Sequence, residues 1–162
     1  MTDNDQNSII SLNGLDDGRR TLLDLLSGMR RTLYLYTPQI RPELYNDPAV
    51  LTTIRNQVVA QPKTRFHLLL PPLRDWHNAC PGLARLGERL TTALLLRIPN
   101  RQELPDWPEL GHAFAIADER VLLRFSDPRR LIGEYTPHPN ERMKDLLERF
   151  RILWDRAQPD PD

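Results

Sequence analysis

Hydrophobic and polar residues alternate along the chain in two different periods, which divide it into helices and strands. Apolar residues recur at helical spacing in four segments. These predicted helices cover about 16–30, 48–60, 81–90 and 139–157. Shorter runs rich in β-branched and aromatic residues predict strands. These runs cover about 32–37, 64–70, 91–98, a hairpin over 112–125 with a tight turn at 118–120, and 131–135.

The order of these elements predicts an α/β fold. Strands that alternate with helices indicate parallel β-α-β units on a central sheet, and the late hairpin adds antiparallel strands. We therefore expect one domain over 14–157 with a mixed, mostly parallel central sheet flanked by helices. Residues 1–13 are predicted to be a flexible N-terminus and 158–162 a flexible tail. Asp16 or Asp17 is expected to cap the first helix, and Asp47 the second.

Composition and charge narrow the functional classes. The chain has 162 residues and a formal net charge of zero, which argues against broad electrostatic attraction to nucleic acid or anionic membranes. Of its 22 basic residues only Lys63 and Lys144 are lysine. Arginine holds phosphate and carboxylate groups with two hydrogen bonds, although codon bias also explains this preference.

Several features indicate a cytoplasmic protein. The polar N-terminus lacks the pattern of a secretion signal, and no apolar run approaches the ~20 residues of a membrane span. Cys80 is the only cysteine, so it forms no intrachain disulfide. His77 lies three residues before it, but no thiol-enzyme signature surrounds the pair. A structural thiol is therefore the favoured interpretation.

Candidate binding residues lie in loops that follow strands, where open α/β sheets hold their ligands. On this basis we expect Arg41, Arg74 and His77 to be ligand-binding residues, and Arg124, within the predicted hairpin, is a further candidate for binding a ligand. The four histidines lack metal-ligand spacing, and the seven glycines form no phosphate-binding loop. The sequence therefore predicts no metal and no cofactor.

The most informative stretch, 111–123, begins with a histidine, continues as a strand and then turns back. Together with the order of elements, it resembles one half of the phospholipase D superfamily over roughly residues 15–157. The segments that carry this resemblance are 33–36, 48–60, 65–70, 114–118 and 150–154. Residues 37–45 and 83–90 resemble more closely a bacterial subgroup without an assigned activity, some members of which are appended to acetyltransferase-like domains.

The resemblance implies a catalytic motif of His-x-Lys, four further residues and Asp, followed by Gly-Ser-x-Asn. A histidine attacks phosphorus and a lysine holds the non-bridging oxygens, and two copies of the motif are needed. His112 stands at the histidine position. Without a gap, Phe114 takes the place of the lysine and Glu119 that of the acid. If 114–118 is aligned on the strand core instead, Asp118 is the acid and the lysine is deleted.

The downstream half of the motif is also degenerate. Ser126 stands where the Gly-Ser-x-Asn segment is expected, without the Gly or the Asn, and Glu134 lies where the superfamily often carries a supporting glutamate. We therefore interpret His112, Asp118, Glu119, Ser126 and Glu134 as vestiges of a catalytic site.

The favoured function is a non-catalytic binding or assembly module. One alternative is a phosphodiesterase, or a phosphatidyl- or nucleotidyl-transferring enzyme, with a rewired site. Another is a nucleic-acid-binding domain that uses its arginines. The resemblance also implies a homodimer and an acetyltransferase-like partner.

Overall fold

The computed structural model describes residues 9–159, apart from Arg101, Glu103 and the side chains of residues 73–75. The strands are β1 (Ile10–Asn13), β2 (Thr32–Tyr36), β3 (Arg65–Leu69), β4 (Leu94–Ile98), β5 (Ala113–Ala117), β6 (Val121–Asp127), β7 (Ile132–Thr136) and β8 (Gln158–Pro159). The helices are α1 (Leu15–Gly28), α2 (Pro42–Tyr45), α3 (Pro48–Ala60), α4 (Leu73–Ala79), α5 (Pro81–Arg89) and α6 (Glu141–Arg156), and a 3₁₀ helix spans Pro108–Gly111.

The strands form one open mixed sheet in the order β1-β7-β6-β5-β2-β3-β4-β8. This confirms the predicted α/β fold with a mixed central sheet flanked by helices. Parallel pairing is less extensive than expected, since among the described strands it joins only β2 to β3 and β3 to β4. The other pairings are antiparallel. Strands β5, β6 and β7 pair in this way because tight turns join them, β5 also pairs with β2, and β1 and β8 pair with the edge strands β7 and β4.

Each face of the sheet has its own hydrophobic core. Helices α1, α3 and α5 cover one face, and α6 covers the other. Alternation along β2 illustrates the division, because Leu35 belongs to the first core and Tyr36 to the second. The face under α6 carries the side chains that resemble a catalytic motif.

Helix starts follow the sequence prediction in one case and depart from it in another. The Asp47 carboxylate accepts the backbone N–H groups of Ala49 and Val50, which confirms it as the N-cap of α3. The predicted cap of α1 is wrong, because Gly14 is the N-cap and makes no side-chain cap bond. Asp17 instead accepts the backbone N–H of Asn13 at 2.9 Å, in the turn before the helix.

Several segments have more regular structure than their sequence suggests, including the helix Pro42–Tyr45 and the 3₁₀ helix, which lie in predicted loops. Residues 10–13, within the segment expected to be flexible, form β1 against β7. Gln158 and Pro159, in the expected tail, pair with β4 as β8. Residues 73–79, expected to be a loop, form α4, whose Trp76 is fully buried. None of the helices in the described residues combines the length and apolar character needed to cross a membrane.

Candidate functional site

Four side chains form a row across the face of the sheet that α6 covers. Tyr36 on β2 pairs with Phe114 on β5, Phe114 pairs with Arg124 on β6, and Arg124 pairs with Glu134 on β7. Since side chains alternate along a strand, His112 lies on the same face as Phe114. The sheet register therefore brings three sequence-predicted residues together, namely His112, Arg124 and Glu134.

These three residues are joined by hydrogen bonds. Arg124 Nη1 lies 3.0 Å from His112 Nδ1, and Arg124 Nη2 and Nε lie 2.5 and 3.1 Å from Glu134 Oε1. Only 11% of the Arg124 side chain is exposed. A guanidinium group has donors and no acceptor, so Nδ1 of His112 accepts this bond and the imidazole proton is on Nε2.

The surroundings of His112 keep its imidazole neutral. Partial burial lowers the pKa of His112 below its ordinary value, and the positive charge of Arg124 lowers it further. Glu109 acts in the opposite direction, and Arg142 adds a smaller lowering effect. At neutral pH the ring is therefore uncharged, as the hydrogen bond from Arg124 requires.

Phe114, which the ungapped alignment places at the lysine of the His-x-Lys motif, belongs to the hydrophobic core. Its side chain is 5% exposed and lies among the residues that pack against α6. The ring centroid is 5.7 Å from that of Tyr36 and 6.2 Å from that of Phe150, which approaches edge-on. This position therefore supplies packing and no positive charge.

Asp118 and Glu119 lie at the opposite end of β5 from His112. Asp118 is six positions after His112, which corresponds to about 20 Å along an extended strand. Asp118 accepts backbone N–H groups from the connection between α1 and β2. Glu119 forms an ion pair with Arg151 at 3.4 Å, with about half of each side chain exposed. Neither carboxylate contacts the histidine.

The remaining candidates are dispersed. The Ser126 hydroxyl, near the end of β6, donates at 3.4 Å to the carbonyl of Ile132, the first residue of β7. Arg41 donates to the Arg129 carbonyl and pairs with Glu43. His77 lies on α4 and packs against Trp76 at 4.1 Å. Arg74 lies on the same helix, but its side chain is outside the described part of the structure.

A cleft of about 420 Å³ opens at the carboxyl ends of the parallel strands. Its lining residues are mostly apolar: Tyr36, Thr37, Pro38, Leu70, Pro71, Pro72, Ile98, Pro99, Leu104 and Leu110. The sequence indicated this edge as a ligand site but pointed to arginines rather than to these residues. The prolines that come shortly after each parallel strand were the sequence signal that could have identified the residues lining this cleft.

The segment before His112 is tied to α6, a contact that the sequence did not predict. Arg149 on α6 pairs with Glu109 at 3.2 Å, and its guanidinium lies 4.9 Å from the ring centroid of Trp107. Trp107 also packs against the core under α6. These contacts hold the 3₁₀ helix in place and so fix the position of His112.

Two further groups bear on possible chemistry. Cys80 is fully buried, and burial raises the pKa of its thiol to about 12, so it stays protonated and unreactive at neutral pH. Within the described residues, no group of three or more His, Cys, Asp or Glu side chains is placed to hold a metal ion.

The fold is similar to that of several solved structures. Nuc from Salmonella typhimurium, a phospholipase D family member, is 11% identical, with a TM-score of 0.59 over 96% of this chain and 99% of its own. NucT from Helicobacter pylori is 9% identical, with a TM-score of 0.62 over 94% and 98%. TrmBL2, an archaeal chromatin protein with a novel mode of DNA binding, is 13% identical, with a TM-score of 0.64 over 94% and 54%. These similarities show that the chain has the phospholipase D fold.

The sequence itself supports a narrower grouping. No curated protein matches it. One family model, described as Domain of unknown function (DUF7931), matches residues 14–162, a range that includes every described element except β1. The chain therefore belongs to the DUF7931 family, and its fold is the phospholipase D fold.

Proposed function

We propose that this chain is a phospholipase D-fold domain that binds a ligand or partner without catalysing phosphodiester cleavage or transfer. The observation that carries the proposal is the hydrogen bond from Arg124 to Nδ1 of His112. A histidine that attacks phosphorus through Nε2 keeps its proton on Nδ1, and this N–H donates a hydrogen bond to a carboxylate. In this chain the roles of the two ring nitrogens are exchanged, because Nδ1 accepts the hydrogen bond from Arg124 and Nε2 carries the proton. Nε2 then has no lone pair for attack.

The charge around His112 supports the same proposal. A cation that holds phosphoryl oxygens supplies several kcal/mol of transition-state stabilisation. Phe114 removes the superfamily's cation, and the adjacent Arg124 is held by Glu134 in a largely buried ion pair. A rewired phosphodiesterase, or a phosphatidyl- or nucleotidyl-transferring enzyme, would have to release Arg124 from Glu134 and move the proton of His112.

A comparison of three proteins tests the proposal. Wild type, His112→Ala and His138→Ala are incubated with bis(p-nitrophenyl) phosphate, single-stranded DNA and phosphatidylcholine vesicles. His138 is an exposed histidine outside the row and serves as the matched control. We expect no turnover of any substrate by any of the three. Turnover by wild type and His138→Ala that is absent in His112→Ala would overturn the proposal in favour of the rewired enzyme.

Nucleic-acid binding is the second candidate function. Its support is the similarity to TrmBL2, together with the predominance of arginine among the basic residues. The zero net charge opposes it, as do the ion pairs that engage Arg41, Arg124 and Arg149. Binding to a labelled duplex is measured between low and physiological salt. A steep loss of affinity with salt supports this candidate, because phosphate contacts release counterions.

The assembly proposals rest on the superfamily resemblance. We propose a cytoplasmic homodimer whose further partner is an acetyltransferase-like protein. Light scattering coupled to size-exclusion chromatography measures the mass of the purified chain directly. A mass of 18.9 kDa at all concentrations would contradict the homodimer.

A further inference from the structure

A row of basic residues lies at the amino ends of the parallel strands. Arg30 and Arg31 are on the connection from α1 to β2, Lys63 is on the connection from α3 to β3, and Arg120 is in the turn between β5 and β6. All four residues are exposed. The cleft and His112 lie at the opposite edge of the sheet, so this row is separate from both.

Backbone hydrogen bonds hold the three connections side by side. The Asp118 carboxylate accepts the N–H groups of Arg30 and Arg31, and the Arg31 carbonyl accepts the N–H of Arg65 at the start of β3. The strands concerned are neighbours in the order β5-β2-β3, and adjacent strands lie about 4.8 Å apart. The row therefore extends over about 10 Å.

Neighbouring carboxylates leave the charges of this row unpaired. In the described structure none of the four side chains forms an ion pair or donates a hydrogen bond within the protein. Asp118 accepts three backbone N–H groups, and Glu119 forms its ion pair with α6. Asp24 lines a cleft of about 310 Å³ together with Arg30 and Arg120 but pairs with neither. The donors of the row are therefore available to an anion.

We propose that this row binds the phosphate backbone of a nucleic acid. The proposal rests on the second candidate function given above and assigns that function to a surface. Successive phosphates of one strand rise about 3.4 Å along the helix axis, so a row of about 10 Å faces about three of them. The zero net charge of the whole chain does not prevent this contact, because the potential at a surface depends on how the charges are distributed.

A polymer of phosphates fits this row better than an anionic membrane does. Proteins that lie on a membrane surface bury large apolar side chains beside their basic residues. None of the large apolar side chains that are exposed in the described structure lies on the three connections. They are Ile9, Ile10, Val59, Leu104, Ile132 and Ile152. Contacts at this edge are therefore expected to be electrostatic and independent of base sequence.

Salt-dependent binding of a fluorescein-labelled DNA duplex tests the proposal. Fluorescence anisotropy compares the wild type with Arg30→Gln/Arg31→Gln and with the control Arg129→Gln/Arg130→Gln. The control also replaces two adjacent exposed arginines, in the turn between β6 and β7 at the opposite edge. We expect the first variant to bind about tenfold more weakly at low salt, with a slope of log K against log salt that is smaller by about 2. The control is expected to bind as the wild type does.

Substitutions at the two ends of the row test its extent. Lys63→Gln and Arg120→Gln are each expected to reduce the salt slope by about 1. These side chains are exposed, and replacing Arg30 and Arg31 keeps the backbone N–H groups that bind Asp118. Thermal denaturation is therefore expected to show that all the variants remain folded.

The outcomes separate the surface from the function. Salt-dependent binding that is equally strong in every variant overturns the row and leaves nucleic-acid binding in place at another surface. Failure of the wild type to bind the duplex at low salt overturns both the row and the second candidate function. Binding to vesicles that contain phosphatidylserine, in the absence of duplex binding, overturns the proposal in favour of a membrane surface.

Discussion

The carboxylate of Asp118 accepts the backbone N–H of Arg31 at 2.8 Å. It also accepts the N–H groups of Arg30 and Thr32, at 2.8 and 3.1 Å, and its own N–H donates to the Thr32 carbonyl. Asp118 and Glu119 both have a φ of 55°, the left-handed conformation of the turn between β5 and β6. One acidic side chain therefore attaches this turn to the start of β2, and its role is structural.

Removing this carboxylate is expected to destabilise the fold. Asp118→Ala leaves three backbone N–H groups without their acceptor and is expected to lower the free energy of unfolding by about 2–3 kcal/mol. Glu119→Ala removes only a half-exposed ion pair and is expected to cost less than about 1 kcal/mol. Urea denaturation of the two variants checks the difference. Equal losses would contradict a structural role specific to Asp118.

Gly133 is expected to be intolerant of a side chain. A Cβ at this position would lie 1.8 Å from the Arg124 carbonyl oxygen, and both groups belong to paired backbones of β6 and β7. Gly133→Ala is therefore expected to lower the free energy of unfolding by more than about 2 kcal/mol.

Gly28 provides the matched control for this substitution. It ends α1, and a Cβ there would meet nothing within 4 Å. Gly28→Ala is expected to stabilise the protein by about 0.5–1 kcal/mol, because alanine favours the helical state. Thermal denaturation measures both variants, and a neutral result for Gly133→Ala would show that β6 and β7 shift apart without cost.

The tautomer of His112 is directly observable. ¹⁵N NMR is expected to place its proton on Nε2 in the wild type. Arg124→Gln removes the cation beside the ring, so the pKa of His112 is expected to rise. Arg156→Leu, at an exposed arginine at the end of α6, is expected to leave it unchanged. A proton on Nδ1 in the wild type would contradict the conclusion that Nδ1 of His112 accepts a hydrogen bond from Arg124.

His67 is expected to make the protein less stable in acid. Its ring stacks on Tyr34 at 5.0 Å and packs against Trp154, where burial lowers its pKa, and Arg97 and Arg65 lower it further. The unfolded chain takes up the proton first as the pH falls below about 6.5. The protein therefore keeps its full stability above about pH 6.5 and loses stability as the pH falls toward the lower pKa that His67 has in the folded state.

Two histidine variants isolate this effect. Urea denaturation between about pH 7.5 and 5 is expected to show a smaller loss of stability for His67→Phe, which keeps the aromatic stack, than for the wild type. His138→Gln, at an exposed histidine, is expected to follow the wild type. An identical pH dependence of stability for all three proteins would exclude His67 as the source of the loss of stability in acid.

Local signals made much of the fold predictable. The Asp47-Pro48 start and the spacing of apolar residues located α3 over 48–60, because capping and periodicity depend on neighbouring residues. Strand β1 was missed because four residues carry little pattern, and its partner β7 is more than 100 residues away. Helix α4 was missed because two prolines indicate a break, although Pro72 is also a suitable residue before a helix.

The candidate site was predictable as a set of residues but not as an arrangement. His112, Arg124 and Glu134 were each identified from the sequence. Their contact depends on the register of β5, β6 and β7, which includes a shift between Phe125 and Asp127. A shift of one residue moves a side chain to the other face of the sheet, so spacing alone left open whether Arg124 meets the histidine.

The burial of Phe114 limits how this chain can change by mutation. A lysine at 114 would place an ammonium group in the layer between Tyr36 and Phe150, at a cost of several kcal/mol. Arg124 would still donate to His112, so the new lysine would stand beside a histidine with the wrong tautomer. Phe114→Lys alone is therefore expected to lower the stability of the fold without assembling a His-x-Lys site, because the packing of Tyr36, Phe114 and Phe150 would also have to change.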